Sequence, residues 1–271
     1  MEIRSIKPEH WPAFVELASL EGWRVPPQEL ALFKGELADC AFCLSCEAEP
    51  RGFVTALVHQ RSGWIGNLIV PAEFRGRGYG RLLFRHGLEV LEARGVESVW
   101  LTASPMGRPL YEQHGFQVIG GIERWSLAVV GSELPPCAPP GDASLLLAGD
   151  ALVWGESRQR LLSPLAGGGQ VLAVGNSVAL LQQAGPLQVL GPWISPELCP
   201  RENRQLLMAV LAAAGAGVEL VVDLLETSPV RMLLSAAGFT PKGRCDLMAR
   251  GPREGVELAP LVALASLGSM G

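Results

Sequence analysis

A chain of 271 residues with 48% apolar side chains can bury one large core or two of ordinary size. Its 22 basic against 27 acidic side chains leave a net charge of −5, so no overall positive field favours nucleic acid or an anionic membrane surface, and any bound anion must be held locally. The first residues, Met1-Glu2-Ile3-Arg4-Ser5-Ile6-Lys7, carry no apolar leader, and Gly, Pro or charge interrupts other apolar windows before spanning length, so a soluble, cytoplasmic protein is expected.

In chain order, residues 2–6 alternate as a short strand, and Pro8 to Leu20 show helical spacing through Trp11, Phe14, Val15 and Leu17. A second helix is predicted over Pro27 to Leu37, with proline in its first turn. Three strand-like runs follow, Cys40 to Cys46, Gly52 to His59 and Trp64 to Val70, with turn-forming pieces between them. Such immediate succession predicts antiparallel pairing. Cys40, Cys43 and Cys46 have a metal-like spacing, but on a strand residues three apart face opposite ways, and packed thiols without a metal are expected. Six cysteines are also too few for a disulfide scaffold.

Gly80 to Arg94 forms an amphipathic helix pattern, with Leu82, Leu83, Leu88 and Leu91 inward and Gly95 at its end. A strand over Val96 to Ala103, a short helix over Pro109 to His114, and strand-like runs at 116–119 and 122–129 complete the first half. The order predicts an α+β fold, a mixed and mostly antiparallel sheet flanked by helices. From Ser132 to Gly141 two Pro-Pro pairs mark linker chemistry, so the expected division is 1–131, a linker 132–141, and 142–271.

The second half echoes the first. Val218 to Asp223 parallels Val96 to Leu101, Gly238-Phe239 parallels Gly115-Phe116, Leu190 to Ile194 parallels Ile65 to Ile69, and Arg204 to Ala214 parallels the Gly80 helix. Two copies of one fold are expected. The second reads Cys199-Pro200-Arg201-Glu202-Asn203-Arg204 where the first reads Arg75-Gly76-Arg77-Gly78-Tyr79-Gly80, so its anion-binding capacity is expected to be lost. The apolar tail Leu258 to Leu267 should pack on the body as either strand or helix.

Glycines 76, 78 and 80 allow a sharp turn that aims several N–H groups at one point, just before a helix N-terminus that also attracts negative charge. That fits a pyrophosphate, with Arg75, Arg77 and Arg81 adding local positive charge. No Lys-Ser/Thr pair follows Gly80, unlike a nucleoside-triphosphate loop, and the preceding strands lack crossover helices, unlike a dinucleotide fold.

The segment from Val70 to Gly80 resembles the acetyl-CoA-binding motif of the GNAT superfamily, Arg/Gln-x-x-Gly-x-Gly/Ala, and Arg108 to Phe116 is similar to that superfamily's Leu-Tyr-x-x-x-Gly-Phe segment. The resemblance covers residues 2 to 128 and extends more weakly to tandem GNAT proteins, through Gly22-Trp23 and Gly191-Pro192-Trp193. It implies a duplicated GNAT fold with a degenerate second module, and acetyl-CoA as acyl donor with no metal. Backbone groups of Leu68 and Val70, with Ile69 between them, would pair with the pantetheine arm, Arg75, Gly76, Arg77, Gly78, Tyr79, Gly80 and Arg81 would hold the pyrophosphate, and Tyr111 would donate a proton to the coenzyme A thiolate. Leu234 stands at the matching place in the second copy.

The implied activity is direct N-acetyl transfer to a primary amine, with a small-molecule amine as first expectation and protein amines second. A non-catalytic acyl-CoA sensor is the alternative from another class. Trp23 and Phe33 lie where such enzymes shape the acceptor pocket, and Trp154 would join them if the halves face one another. Glu21, Glu73, His59 and His114 are candidate bases, with a water chain, or no general base at all, as alternatives. No nucleic-acid or membrane partner is expected, and a homodimer is compatible with the sequence.

Overall fold

The computed structural model describes residues 1–47, 49–129 and 141–271. The first half runs β1 (Glu2–Ser5), α1 (Trp11–Leu20), α2 (Pro27–Lys34), β2 (Ala41–Cys46), β3 (Glu49–Val58), β4 (Ser62–Ile69), α3 (Tyr79–Ala93), β5 (Ser98–Ala103), α4 (Arg108–Glu112) and β6 (Gln117–Ala128). The second runs α5 (Ala143–Trp154), α6 (Gln159–Gly167), β7 (Gln170–Val174), β8 (Ser177–Ala184), β9 (Leu187–Ile194), α7 (Pro200–Ala213), β10 (Glu219–Leu225), α8 (Arg231–Ala236), β11 (Thr240–Arg250) and β12 (Leu261–Ala263). The echoed segments thus occupy equivalent elements: β9 matches β4, α7 matches α3, β10 matches β5, and α8 matches α4. None of the described helices is long and apolar enough to cross a membrane.

Helix α2 stops at Lys34 rather than Leu37, because Gly35 leaves the helical region (φ −121°, ψ −103°). The two runs expected at 116–119 and 122–129 are one strand. Gly120-Gly121 reads as a turn in isolation, but β6 is flanked by hydrogen-bonded neighbours on both sides, and a Cβ at Gly121 would overlap the Glu226 carboxylate. Of the three cysteines near β2, Cys40 and Cys43 are buried, and burial pushes the Cys40 thiol up to about 11.

The twelve strands among the described residues join one sheet, ordered β1-β2-β3-β4-β5-β11-β6-β10-β12-β9-β8-β7. At its centre the halves trade strands. β11 from the second half lies between β5 and β6 of the first, antiparallel to both, and β6 lies between β11 and β10. The order β5-β11-β6-β10 is symmetric about its middle, so each half completes the other's sheet. The expected linker lies outside the described residues except for Gly141; among the described residues, the hydrogen-bonded ladder runs across both segments without interruption.

Beneath that ladder the apolar packing is also shared. Trp154 on α5 meets Trp64 of β4 and Trp100 of β5 edge-on, with ring centroids 6.2 and 5.2 Å apart. Trp154 is 3% exposed and serves this junction, not the acceptor pocket suggested for it from sequence.

Candidate active site

Parallel strands β4 and β5 pair only from Ser62↔Ser98 to Trp64↔Trp100 and then diverge. Asn67, at φ 51°, is left-handed and breaks the strand's regular path in the diverging part, while β4 keeps its antiparallel partner β3 as far as Ile69↔Phe53. The wedge therefore leaves backbone groups of Asn67 to Val70 facing a gap instead of a neighbouring strand. Such groups can pair with the amides of an extended ligand arm.

Beyond the wedge lies the glycine loop. Gly76 and Gly78 have φ values of +75° and +83°, and Gly78 is the cap from which α3 starts. A side chain at either would be strained even though the space around them is open. Gly80 has no such constraint; it lies at the start of α3 and approaches Val70. The first-turn N–H groups of α3, with this loop, form an anion cradle. Arg75 is engaged with the Val70 carbonyl (Nε to O, 3.0 Å) and with Glu21, so in this structure it braces the loop against the end of α1. Arg81 donates to Gln113 (3.0 Å), and Arg77 lies over the Phe74 ring, 5.4 Å from its centroid. Gaps for an extended arm and for a pyrophosphate thus lie end to end, which is the shape a coenzyme A moiety requires.

A cavity of about 910 Å³ continues from the wedge. Leu68, Ile69, Val70, Arg75, Gly80 and Tyr111 line it; Gly76, Arg77, Gly78, Tyr79 and Arg81 remain on the loop and helix start outside its wall. Tyr111 is 8% exposed and packs against Phe84, and burial pushes its hydroxyl up to about 12, so it holds its proton at neutral pH. Trp23 lines the cavity. Phe33, expected beside it, instead lies in the core at 1% exposure and does not reach the cavity wall, because it shares the buried face of α2 with Leu32.

The far wall comes from the central strands and the last segment of the chain. Arg124 of β6 grips Asp223 of β10 through two hydrogen bonds, 2.7 and 2.8 Å, and also donates to the Leu267 carbonyl at 2.8 Å. Gly268 O accepts from Trp64 Nε1 and Thr102 Oγ1, both at 3.1 Å. These bonds fix residues 267–269 as a floor below the wedge.

Of the four bases considered from sequence, Glu21 lines the cavity but is ion-paired with Arg75. Glu73, His59 and His114 lie outside its wall; burial holds the His59 imidazole well below its usual range, and His114 Nδ1 sits 2.8 Å from Leu110 O. Glu29, which sequence reasoning passed over, lies on the wall at 4% exposure. Its spacing carried a signal: Glu29, Leu32 and Phe33 are three and four apart, placing a carboxylate on the inward face of α2.

The second half has the same wedge, but it is filled. β9 and β10 pair from Leu187↔Glu219 to Val189↔Val221 and then separate, and β12 inserts between them, pairing with Ile194 and Trp193 on one side and Leu224 on the other. A Cβ on Gly191 would overlap the Leu264 carbonyl. At the start of α7, where the first half has its glycine cradle, the Glu202 carboxylate accepts from Asn176 N (3.2 Å) and Ser177 Oγ (3.0 Å). That occupied, negatively charged helix start disfavours a phosphate.

Comparisons with known proteins agree with this architecture. The acetyltransferase (GNAT) family model matches residues 3–116. None of the curated proteins matches the chain. A Pyrococcus horikoshii protein assigned as an acetyltransferase superposes with a TM-score of 0.84 at 18% identity, covering 100% of this chain and 95% of that one. A GCN5-related N-acetyltransferase from Sphaerobacter thermophilus gives 0.66 at 20% identity, covering 95% and 97%. A tandem GNAT protein from the clavulanic acid biosynthesis pathway gives 0.61 at 14% identity, covering 92% and 98%. At these identities the structural likenesses speak to the fold. The half that bears the glycine loop and the open wedge thus matches the GNAT acetyltransferase family, and the chain has the GNAT fold, its second half repeating that fold with the wedge closed.

Proposed function

We propose that the chain transfers an acetyl group from acetyl-CoA directly to a primary amine of a small molecule. The carrying observation is the continuity of the open wedge with a cavity that has Tyr111 on one wall and polar side chains of both halves on the other. Acetyl-CoA enters as the acyl donor, its pyrophosphate on the loop from Arg75 to Arg81 and its pantetheine arm along Leu68 to Val70. The amine nitrogen attacks the thioester carbonyl, the carbon–sulfur bond breaks, and Tyr111 supplies a proton to the departing thiolate. Direct transfer is favoured because the cavity's thiol, Cys245, is pushed up to about 12 by burial and by neighbouring Asp223, which leaves it a poor nucleophile. A chamber walled by both halves and by residues 267–269 suits a small acceptor better than a protein surface.

Calorimetric titration tests the donor assignment. Acetyl-CoA and coenzyme A are expected to bind in the micromolar range with one site per chain, since β12 fills the second wedge. An Arg75→Ala, Gly78→Asp double variant should weaken binding by at least about 100-fold, equivalent to about 3 kcal/mol, through lost bracing, strain at positive φ and a carboxylate on the anion cradle. No binding to the folded wild type would overturn the reading, and binding without transfer to any amine would favour an acyl-CoA sensor. Tyr111→Phe should lower turnover by about 100-fold at neutral pH while leaving coenzyme affinity unchanged; unchanged turnover would remove Tyr111 from the reaction.

A further inference from the structure

Glu29 stands out among the buried charged groups. The carboxylates of Asp150 and Asp223 lie against arginines, and that of Glu156 receives backbone N–H groups and the Ser62 hydroxyl. Glu29 is in none of the ion pairs found among the described residues, although it is 4% exposed. An unpaired buried carboxylate is costly and is usually replaced or neutralised.

Its neighbours have the same character. Asn67, on the distorted stretch of β4, and Ser269, on the floor segment, lie beside Glu29, and all three line the cavity. Asn67 Nδ2 and Ser269 Oγ are buried without a well-formed hydrogen bond of their own. Three convergent polar side chains in one chamber, from α2, β4 and the last segment, face one another without a counter-charge and form a receptor. A primary ammonium, with three N–H donors and one positive charge, can donate to the Glu29 carboxylate and the Ser269 hydroxyl oxygen, while the Asn67 Nδ2 N–H faces the carboxylate.

We infer that Glu29 is the proton acceptor for the incoming amine, holding the acceptor's ammonium with the Ser269 hydroxyl, and oriented by Asn67, beside the wedge where the thioester must lie. This rests on the acetyl-transfer reading given above. The nitrogen sheds two protons as it becomes an amide: the first goes to Glu29 before attack and then to solvent, and the second ends on the coenzyme thiol by way of Tyr111. The carbon–nitrogen bond forms as the carbon–sulfur bond breaks, with no oxidation or reduction.

The charges around the chamber suit that role. Burial pushes the Glu29 carboxyl up to about 7; Ser269, Asn67 and Arg124 offset part of this, and Asp223 adds to it. Arg124 and Asp223 bind one another. Farther out, Glu219 is paired with Arg24 (3.3 Å) and Arg244 with Glu226 (2.8 Å), while Lys242 is exposed. A carboxyl near 7 can both take and release a proton at neutral pH, and since its ionised form is the active one, the rate should rise as pH passes through that region.

The test measures coenzyme A release from acetyl-CoA, from pH 5.5 to 9, by the wild type and Glu29→Gln with a panel comprising an amino acid, a polyamine, an amino sugar and a lysine-containing peptide. Calorimetry with acetyl-CoA accompanies each protein. Glu29→Gln is expected to bind acetyl-CoA within about twofold of wild type, yet to lose about 100-fold in kcat/KM at pH 7 together with the rising limb near 7. Glu29→Asp, which keeps the carboxyl on a shorter arm, should restore part of the rate and the limb. Transfer by Glu29→Gln within threefold of wild type, with the same limb, would overturn the assignment and leave the acetyltransferase reading standing. A wild type that fails to bind acetyl-CoA, or binds it and acetylates nothing in the panel, would overturn both.

Discussion

A chain cut after residue 131 is expected to show no cooperative unfolding transition in thermal or urea denaturation followed by circular dichroism. The reason is the strand exchange. β6 pairs with β11 from Thr240↔Ser126 to Ala249↔Gln117 on one side and with β10 from Glu219↔Ala128 to Leu225↔Ile122 on the other. Both neighbours lie beyond residue 131, so the cut strands β6 and bares the edge of β5, which pairs with β11 from Asp246↔Ala103 to Arg250↔Val99. It also strips Trp154 from Trp64 and Trp100 and exposes Ile122 and Trp125. Each such side chain contributes about 1.5–3 kcal/mol on burial, so exposing these four loses about 6–12 kcal/mol, comparable with a net stability of about 5–15 kcal/mol, before the unpaired strands are counted. A 1–131 chain that melts cooperatively and binds acetyl-CoA would show that the first half can close its own sheet.

Replacing Asp223 by Ala is expected to cost about 3 kcal/mol in urea denaturation. Asp223 is 1% exposed, and its two hydrogen bonds from Arg124 cross the β6–β10 seam between the halves. Losing it leaves a guanidinium whose side chain is only 27% exposed without its counter-charge, and the usual cost of breaking a buried pair is about 3–5 kcal/mol, with the lower end fitting an arginine that still meets solvent. An Arg124→Leu, Asp223→Val double variant should recover most of the loss, because it removes both charges. The single variant should also act on the site: Asp223 raises the Glu29 carboxyl, so its removal moves the rising limb of the rate to lower pH, while Arg124, freed from its partner, holds Leu267 and the floor less firmly. Unchanged stability with an unmoved limb would show that the seam is held by the backbone ladder alone.

Glu29 carries a stability consequence of the same kind. Its folded carboxyl, near 7, lies above the ordinary 4.5, so between those values the unfolded chain has lost a proton that the folded chain keeps. Stability from this group is therefore full below 4.5 and declines as pH rises through 7. A site that binds a cation is a reason for a fold to retain such a group.

The duplication, the glycine loop and the order of strands and helices were legible in the sequence because each is written locally. Positive φ at Gly76 and Gly78 is encoded at those positions, Leu83, Leu88 and Leu91 repeat at helical spacing on the buried face of α3, though Leu82, expected inward, is 37% exposed, and Tyr111 and Leu234 fall at equivalent places in the two copies. Other features were decided only by tertiary structure. A period-two pattern tells which residues share a face of a strand but not which strand pairs with it, so the exchange of β6 and β11, joining residues more than a hundred positions apart, could not be read from alternation. The same holds for β12, a three-residue strand whose identity depends on the wedge it fills, and for Trp154, whose role depends on Trp64 and Trp100 meeting it across the seam. The spacing of Glu29 with Leu32 and Phe33 points its carboxylate inward, but it became a candidate for chemistry only when α2, β4 and the last segment closed around it, because the lack of a counter-charge belongs to a three-dimensional neighbourhood and has no counterpart in the order of residues along the chain.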